Sequence, residues 1–142
     1  MKKGTRLAWL QRFVFAVRFC PGWGRLKLEI QEVWLHADGA IPLGLIISEL
    51  TTNSCKYAFE NNPSPALKIS CFPDTRGGFN FEYSDNGPGF DPSVDSSSFG
   101  LKLIGLLAGQ LKGEYSFSIE TGSVFRLKFR ENVRKGIASD SQ

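Results

Sequence analysis

Histidine is the scarcest chemically useful side chain in this sequence of 142 residues, since His36 is its single copy. One imidazole excludes His-rich metal sites and any catalytic scheme that needs two imidazoles. Phosphoryl transfer to a histidine of this chain would therefore have to use His36. Excess charge is also scarce, because 17 Lys and Arg stand against 14 Asp and Glu. A net charge of +3 does not by itself indicate binding to nucleic acid or to a membrane surface.

Cysteine is limited to Cys20, Cys55 and Cys71, an odd number without paired spacing. This pattern excludes a zinc site and a disulfide framework, and it favours a reducing compartment in which all three are small apolar residues. Long apolar runs are also missing. The Met-Lys-Lys start is followed by apolar residues, but Gln11, Arg12 and Arg18 interrupt them. We therefore expect a cytoplasmic protein without direct membrane insertion.

The length predicts one domain with a substantial core. An amphipathic helix is predicted from Thr5 to Phe19, with apolar residues at helical spacing: Leu7, Leu10, Val14 and Val17. We assign residues 1–22 to this helix, which either packs on the domain or meets a partner or a missing segment. Residues 23–131 form the main domain, and residues 132–142 form a polar tail.

The main domain reads as alternating strands and helices. A strand is predicted at Leu26 to Ile30, and a long helix is predicted to begin at an Asp38 N-cap, with Pro42 in its first turn, and to reach Phe59. Two hairpins, a loop from Asp85 to Ser98 and a helix that ends at Gly113 complete the chain. The hairpin strands have alternating apolar residues: Leu67, Ile69, Cys71 with Phe79, Phe81, Tyr83, and Tyr115, Phe117, Ile119 with Phe125, Leu127, Phe129. The pattern predicts an α+β fold, a two-layer sandwich with helices on one face of a mixed, mostly antiparallel sheet.

The long helix carries Glu49, Asn53 and Lys56 at positions i, i+4 and i+7, on one stripe. An amide oxygen is a good magnesium ligand, a carboxylate can orient or deprotonate water, and an ammonium can contact phosphate. The alternative is a solvated polar helix face.

Two glycine-containing segments offer further chemistry. Asp85-Asn86-Gly87-Pro88-Gly89-Phe90 follows a strand, where a buried carboxylate can accept a hydrogen bond from an exocyclic amine. Ser96-Ser97-Ser98-Phe99-Gly100-Leu101 opens a helix, whose free N–H groups suit phosphate. An ordinary turn and ordinary serine capping are the alternatives.

In this order the three segments resemble the ATPase domain of histidine kinases, most closely the bacterial HWE-like subfamily. The segment from Ile41 to Phe59 resembles the N box, Asp85 to Gly89 the first glycine box and Phe99 to Ile104 the second. Gly122 to Leu127 resembles the last strand motif, in which Thr is usual at the position of Ser123. The likeness covers about Leu26 to Arg130.

This resemblance implies a Bergerat-type site for ATP and Mg²⁺. Asp85 would take the adenine amino group with help from Ser123 through water, and Asn53 would hold the metal. Glu49, Asn53 and Lys56 would be the catalytic residues: Glu49 would orient water or ligands, and Lys56 would contact phosphate. The implied ATP-binding residues are Asn53, Lys56, Tyr57, Asp85, Gly87, Gly89, Phe90, Ser98, Phe99, Gly100, Leu101 and Ser123.

The resemblance also implies partners, because the family carries its phosphoacceptor histidine on a separate dimerisation domain. His36 lies in a connection that the family uses structurally. We therefore expect an acceptor domain of the same gene product or a separate chain, a downstream response regulator, and dimerisation through the N-terminal helix or the missing domain. The segment between the glycine boxes is short and Ser-rich, which implies a weak hold on the γ-phosphate.

Three other functions fit parts of the sequence. A serine kinase of the anti-sigma-factor type would share the fold, and a degenerate domain would bind ATP or dock without catalysis. The run from Arg76 to Tyr83 distantly resembles the aromatic strand of RNA-recognition modules. Glu82 and the missing basic stripe oppose that reading, so we expect no nucleic-acid partner.

Overall fold

The computed structural model describes residues 5–6, 24–31, 34–89 and 99–130. Along the chain these ranges form ten elements: β1 (Thr5–Arg6), β2 (Arg25–Ile30), β3 (Trp34–Leu35), α1 (Ala37–Asn53), a π-helical turn (Ser54–Ala58), β4 (Ala66–Pro73), β5 (Phe79–Asp85), α2 (Phe99–Gln110), β6 (Glu114–Ile119) and β7 (Ser123–Phe129). Phe90 to Ser98, which make up most of the predicted loop, lie outside this description, as do the predicted polar tail and most of the predicted N-terminal helix.

Five strands form one mixed sheet in the order β2-β4-β5-β7-β6. β2 runs parallel to β4, with Arg25 opposite Ala66, and the other neighbours are antiparallel. A parallel neighbour requires a crossover connection, and α1 lies within the connection from β2 to β4. The predicted mixed, mostly antiparallel sheet and both predicted hairpins are confirmed.

One face of the sheet packs against α1 and α2. Alternation turns every second residue of the strands toward this face, where Phe81, Phe125 and Leu127 are almost completely buried. From the helices, Ile46 and Ile104 complete the same core. The opposite face carries polar side chains, such as Arg126 in ion pairs with Glu82 and Glu120. The predicted two-layer α+β sandwich is therefore confirmed.

The N-terminal end of α1 differs from the prediction. His36, and not Asp38, is the N-cap residue, and its carbonyl oxygen accepts the N–H groups of Gly39 at 3.0 Å and Ala40 at 2.8 Å. Asp38 lies in the first turn, where its charge still complements the helix dipole. Pro42 lies inside the helix instead of in its first turn. The chain leaves β3 at Leu35 and becomes helical at once, so the helix begins before the residue whose side chain best suits a cap.

The first residues also differ from the prediction. Thr5 and Arg6 form the short strand β1, in which they pair antiparallel with Leu35 and Trp34. The helix predicted from Thr5 therefore cannot start there, since these two residues are extended by pairing with β3. Residues 7–19 of that prediction lie outside the described ranges.

The end of α2 is set by a left-handed residue at Lys112, with φ of 52°. The Lys112 N–H donates to Gly109 O at 3.0 Å and the Gly113 N–H donates to Ala108 O at 2.9 Å. These two bonds form a Schellman motif in which Lys112, and not the predicted Gly113, takes the position that glycine usually fills. A Cβ on Gly113 would lie 2.7 Å from Leu127 Cδ1, so glycine is needed there for close packing.

Candidate functional site

Asp85 is the buried carboxylate of the site. It ends β5 on the same face as Phe81 and Tyr83, and it is 9% exposed. Its Oδ1 accepts the N–H groups of Gly87 at 3.1 Å and Ser123 at 3.2 Å, and its Oδ2 accepts the Ser54 hydroxyl at 2.8 Å. Hydrogen bonds to a charged group are each worth about 1.5–3 kcal/mol. Three donors therefore compensate the burial of this group and fix its orientation.

Gly122 brings the last hairpin against the carboxylate. A Cβ at this position would lie 1.9 Å from Asp85 O and 2.9 Å from Asn86 Cα, a distance that real side chains do not reach. Only glycine permits this approach, which places the Ser123 N–H within reach of Asp85. The resemblance assigned Ser123 a role through water, and the structure shows a direct backbone bond.

A small cavity lies beside Asp85, between the end of α1, the π-helical turn and the sheet. Five of the residues assigned from the resemblance line it: Asn53, Tyr57, Asp85, Gly89 and Ser123. Seven further lining residues were not predicted: Leu50, Ser54, Ala58, Tyr83, Pro88, Phe117 and Phe125. The volume of about 30 Å³ is room for one or two water molecules.

Gly89 forms one of these walls. Its φ of 93° lies in the region that favours glycine, and a Cβ there would lie 2.6 Å from Ile119 Cγ2. Gly87, the other glycine of this segment, packs on the π-helical turn. A Cβ added at this position would lie 2.4 Å from the Ala58 Cβ. The first glycine box therefore lies directly against the end of α1 and the edge strand β6.

Two buried hydroxyl groups connect α1 to β5 behind Asp85. The Ser54 Oγ, 2.8 Å from Asp85 Oδ2, lies 2.9 Å from the Tyr83 hydroxyl oxygen. Burial raises the pKa of Tyr83 above its ordinary value, while hydrogen bonds with Ser54 and Thr51 act in the opposite direction. Tyr83 thus stays protonated at neutral pH and is available as a hydrogen-bond donor.

Sequence reasoning missed Ser54 and Tyr83, although the sequence held a signal for each. Tyr83 is two positions before Asp85 in an alternating strand, so both side chains must share a face. Ser54 directly follows Asn53 in the N box. What the sequence could not show is that a hydroxyl on the helix reaches the strand.

The predicted stripe of three polar residues on α1 is present only in part. Helix α1 is α-helical to Asn53, and then Phe59 N–H bonds to Ser54 O in a wider π-helical turn. Lys56 lies in this turn, so it does not follow Asn53 at α-helical spacing. Lys56 is exposed and does not line the cavity. The α-helical spacing assumed for Lys56 therefore does not hold in this turn, and its contact with phosphate stays a prediction.

Glu49 reaches the start of α2. A Cβ on Gly100 would lie 2.8 Å from Glu49 Oε2, so this carboxylate is next to the helix N-terminus, where negative charge is favoured. Asn53 lies one turn further along α1. Their two oxygen donors fit Mg²⁺, which proteins commonly hold with one or two such groups and substrate phosphates. Among the described residues no cluster of three or more His, Cys, Asp or Glu side chains could hold a metal alone.

The remaining predicted residues are placed less fully. Phe99 is the first residue of α2 and Leu101 is half-buried against the core. Phe90 and Ser98 lie outside the described ranges. No helix in the part of the chain that is described has the length and apolarity to cross a bilayer.

The cysteines do not all behave as predicted. Cys71 is a free, fully buried thiol in β4, as an apolar residue would be. Cys55, in the π-helical turn, is disulfide-bonded. The prediction of unpaired thiols is therefore wrong at Cys55, because a count of cysteines does not show which side chains the fold brings together.

The aromatic strand that resembled an RNA-binding motif faces the core. Phe81 is 1% exposed and Tyr83 is 2% exposed. Buried rings cannot stack on bases, so this strand does not support RNA recognition.

The fold is that of histidine kinase ATPase domains. The histidine kinase domain of the blue-light-activated kinase EL346 of Erythrobacter litoralis aligns with a TM-score of 0.80 at 19% identity, over 99% of this chain and 69% of that one. The mycobacterial sensor histidine kinase MprB aligns with a TM-score of 0.73 at 13% identity, over 92% of this chain and 100% of that one.

A third similar structure, full-length ShkA in complex with AMPPNP, aligns with a TM-score of 0.64 at 14% identity. The alignment covers 94% of this chain and 33% of that one. No protein-family model and no curated protein sequence matches the chain. At these identities the likeness establishes the fold.

Proposed function

We propose that the chain is the ATP-binding catalytic domain of a two-component sensor histidine kinase, which binds Mg-ATP and donates the γ-phosphoryl group to a histidine outside the chain. The observation that carries the proposal is Asp85: a buried carboxylate, fixed by three donors, that borders a cavity at the end of the N-box helix. The structure of full-length ShkA, which shares the fold, is a complex with AMPPNP, an ATP analogue.

Base recognition would depend on Asp85. The adenine amino group would donate to the carboxylate, while Tyr57, Gly89 and Ser123 would border the ring from the cavity walls.

Phosphate recognition would depend on the space between α1 and α2. The N–H groups of Gly100 and Leu101 at the start of α2 would face the triphosphate. Mg²⁺, held through Asn53 and oriented by Glu49, would neutralise charge on the phosphates when bound. Since Glu49 already lies at this helix N-terminus, its charge would repel a triphosphate without the metal. Magnesium should therefore strengthen nucleotide binding.

The phosphoacceptor must come from elsewhere. His36 caps the start of α1, and a 17-residue helix separates it from Asn53 by about 25 Å along the axis. A γ-phosphoryl group next to Asn53 could not reach it without unfolding. Phosphoryl transfer depends mainly on positioning and charge neutralisation, so an external imidazole would complete the reaction.

The partners and location follow as proposals. The acceptor histidine would lie on a domain of the same gene product or on a separate chain, with a response regulator downstream and dimerisation through the N-terminal segment. A cytoplasmic location would give access to ATP.

Calorimetric titration with ATP and ADP, with and without Mg²⁺, tests the nucleotide site. We expect Asp85→Asn to weaken binding about 10- to 100-fold, since a charged acceptor is lost. We expect Asn53→Ala to remove most of the gain from Mg²⁺. Ser70→Ala, a buried serine on β4 away from the cavity, is the control. Equal heats for the wild type and Asp85→Asn would refute the site assignment.

Transfer of labelled phosphate to candidate acceptor domains separates the related functions. Label that is lost in acid and retained in base indicates histidine. Acid-stable label would instead favour a serine kinase of the anti-sigma-factor type. Nucleotide binding without transfer to any acceptor would favour a nonenzymatic docking module.

A further inference from the structure

We propose that Ser54 and Tyr83 form a hydroxyl relay that positions Asp85 and makes the site select 6-aminopurines over 6-oxopurines. The inference rests on the proposed nucleotide site. It attributes the base selectivity of that site to two residues that the family resemblance did not include among the ATP-binding residues. Both are positioning residues, since they act through the carboxylate of Asp85.

The Asp85 carboxylate has a limited number of positions at which it can accept a hydrogen bond. An ionised carboxylate has about four lone-pair positions, two on each oxygen. The backbone N–H groups of Gly87 and Ser123 take both positions on Oδ1. The Ser54 hydroxyl takes one position on Oδ2, which leaves Oδ2 with one free position for a ligand.

The number of hydroxyl protons determines which group donates in each hydrogen bond of the relay. Ser54 has one hydroxyl proton, and it is donated to Asp85. The 2.9 Å contact between Ser54 Oγ and the Tyr83 hydroxyl must then use the tyrosine proton. Tyr83 therefore donates to Ser54, and Ser54 donates to Asp85. Thr51 also accepts from Tyr83, since its own proton goes to Ile47 O at 2.7 Å, so the two hydroxyl oxygens share the tyrosine proton. Each bond polarises the next in such a chain.

The direction of these hydrogen bonds determines which base the site can bind. An amino group offers a proton to Oδ2 and completes the set of hydrogen bonds. A 6-oxo group offers a lone pair to a carboxylate, and Ser54 cannot turn its proton toward that group without releasing Asp85. A site built for a donor rejects a ligand that lacks it. The relay also holds the carboxylate against rotation toward the N1–H of a 6-oxopurine.

Burial makes the relay effective. Ser54 and Tyr83 are each 2% exposed, so bulk water does not compete for their protons. The three residues come from two elements, because Ser54 begins the π-helical turn and Tyr83 and Asp85 lie on β5. The relay therefore fixes the end of α1 to the strand that carries the carboxylate.

The test compares the dissociation constants of ATP and ITP, which carries a 6-oxo group in place of the amino group. For Ser54→Ala we expect ATP affinity to fall about 5- to 10-fold and ITP affinity to change less than about 2-fold. For Tyr83→Phe we expect a loss in the same direction of about 2- to 3-fold, because Ser54 still reaches Asp85. Ser70→Ala and Tyr115→Phe, both outside the cavity lining, should keep the wild-type ratio.

Each outcome decides the matter. A wild-type ratio in Ser54→Ala, or an equal loss for both nucleotides, would overturn the relay and leave the ATP site intact. A wild type that binds ATP and ITP equally would do the same. A wild type that binds no ATP would refute the proposed function itself, and with it the inference. Thermal unfolding checks that the variants fold. If Ser54→Ala does not fold, the ATP and ITP dissociation constants of Tyr83→Phe decide instead.

Discussion

At the scale of single residues, Cys71 shows how burial controls chemistry. Its side chain is completely buried in β4, and burial raises the pKa of the thiol to about 12. Since only the thiolate is a good nucleophile, we expect iodoacetamide at pH 8 to leave Cys71 unmodified in the native protein and to alkylate it in urea. Peptide mass spectrometry after a short pulse measures both. Rapid alkylation of Cys71 without denaturant would contradict the burial.

Residue chemistry was predictable where one motif carried it and unpredictable where two elements met. Asp85 and Asn53 were identified from their segments and both border the cavity. Ser54 and Tyr83 were missed because each has an ordinary role in its own segment, as a polar helix residue and a core aromatic. Their meeting at 2.9 Å depends on how α1 lies across the sheet, which no local pattern contains.

At the scale of elements, the end of α2 offers a test of backbone strain. Lys112 holds a left-handed conformation that costs an L-residue about 1 kcal/mol and glycine very little. We expect Lys112→Gly to raise the free energy of unfolding by up to about 1 kcal/mol, with a rise in Tm of about 3 °C. Lys112→Ala, which keeps a Cβ, should bring no such gain. Urea unfolding of both variants measures the difference, and a stabilised Lys112→Ala would show that the charge, and not the backbone, was responsible.

The elements themselves were predicted better than their ends. Apolar periodicity indicated α1, α2 and the paired strands, because burial on one face leaves a clear pattern. The start of α1 at Ala37 and its π-helical turn were not predicted. Moving a cap by two residues or widening one turn changes only a few backbone hydrogen bonds, and the contact that favours the change comes from another element. Gly87 against Ala58 is such a contact.

At the scale of the whole molecule, stability should depend on surface carboxylates in acid. Hydrogen bonds lower the pKa of three exposed groups: Lys27 acts on Glu29, the Gly78 and Arg76 N–H groups on Asp74, and Arg126 on Glu120. A folded pKa below the unfolded value adds stability at neutral pH. That contribution begins to fall near the ordinary values, 4.5 for Glu and 3.8 for Asp, and is lost below the folded pKa.

Asp74→Asn tests this dependence, since the amide keeps the shape of the side chain but does not titrate. We expect its free energy of unfolding to fall less steeply than that of the wild type between about pH 6 and pH 3. High salt should weaken the ion pairs of Glu29 and Glu120 but preserve the difference due to Asp74, whose partners are backbone N–H groups. Identical acid profiles for the two proteins would contradict the assignment.

The parallel pairing of β2 with β4 distributes the entropy of chain closure unevenly through the sheet. The hairpins β4–β5 and β6–β7 each close a short turn, so their strands are held near one another even in a loose chain. β2 can join β4 only after the chain has traversed the whole of α1 and returned. Its six-residue pairing therefore closes a loop that contains a whole helix, against a single neighbouring strand. The strand that begins the main domain in sequence is thus held in the sheet only through one neighbour that lies far from it along the chain.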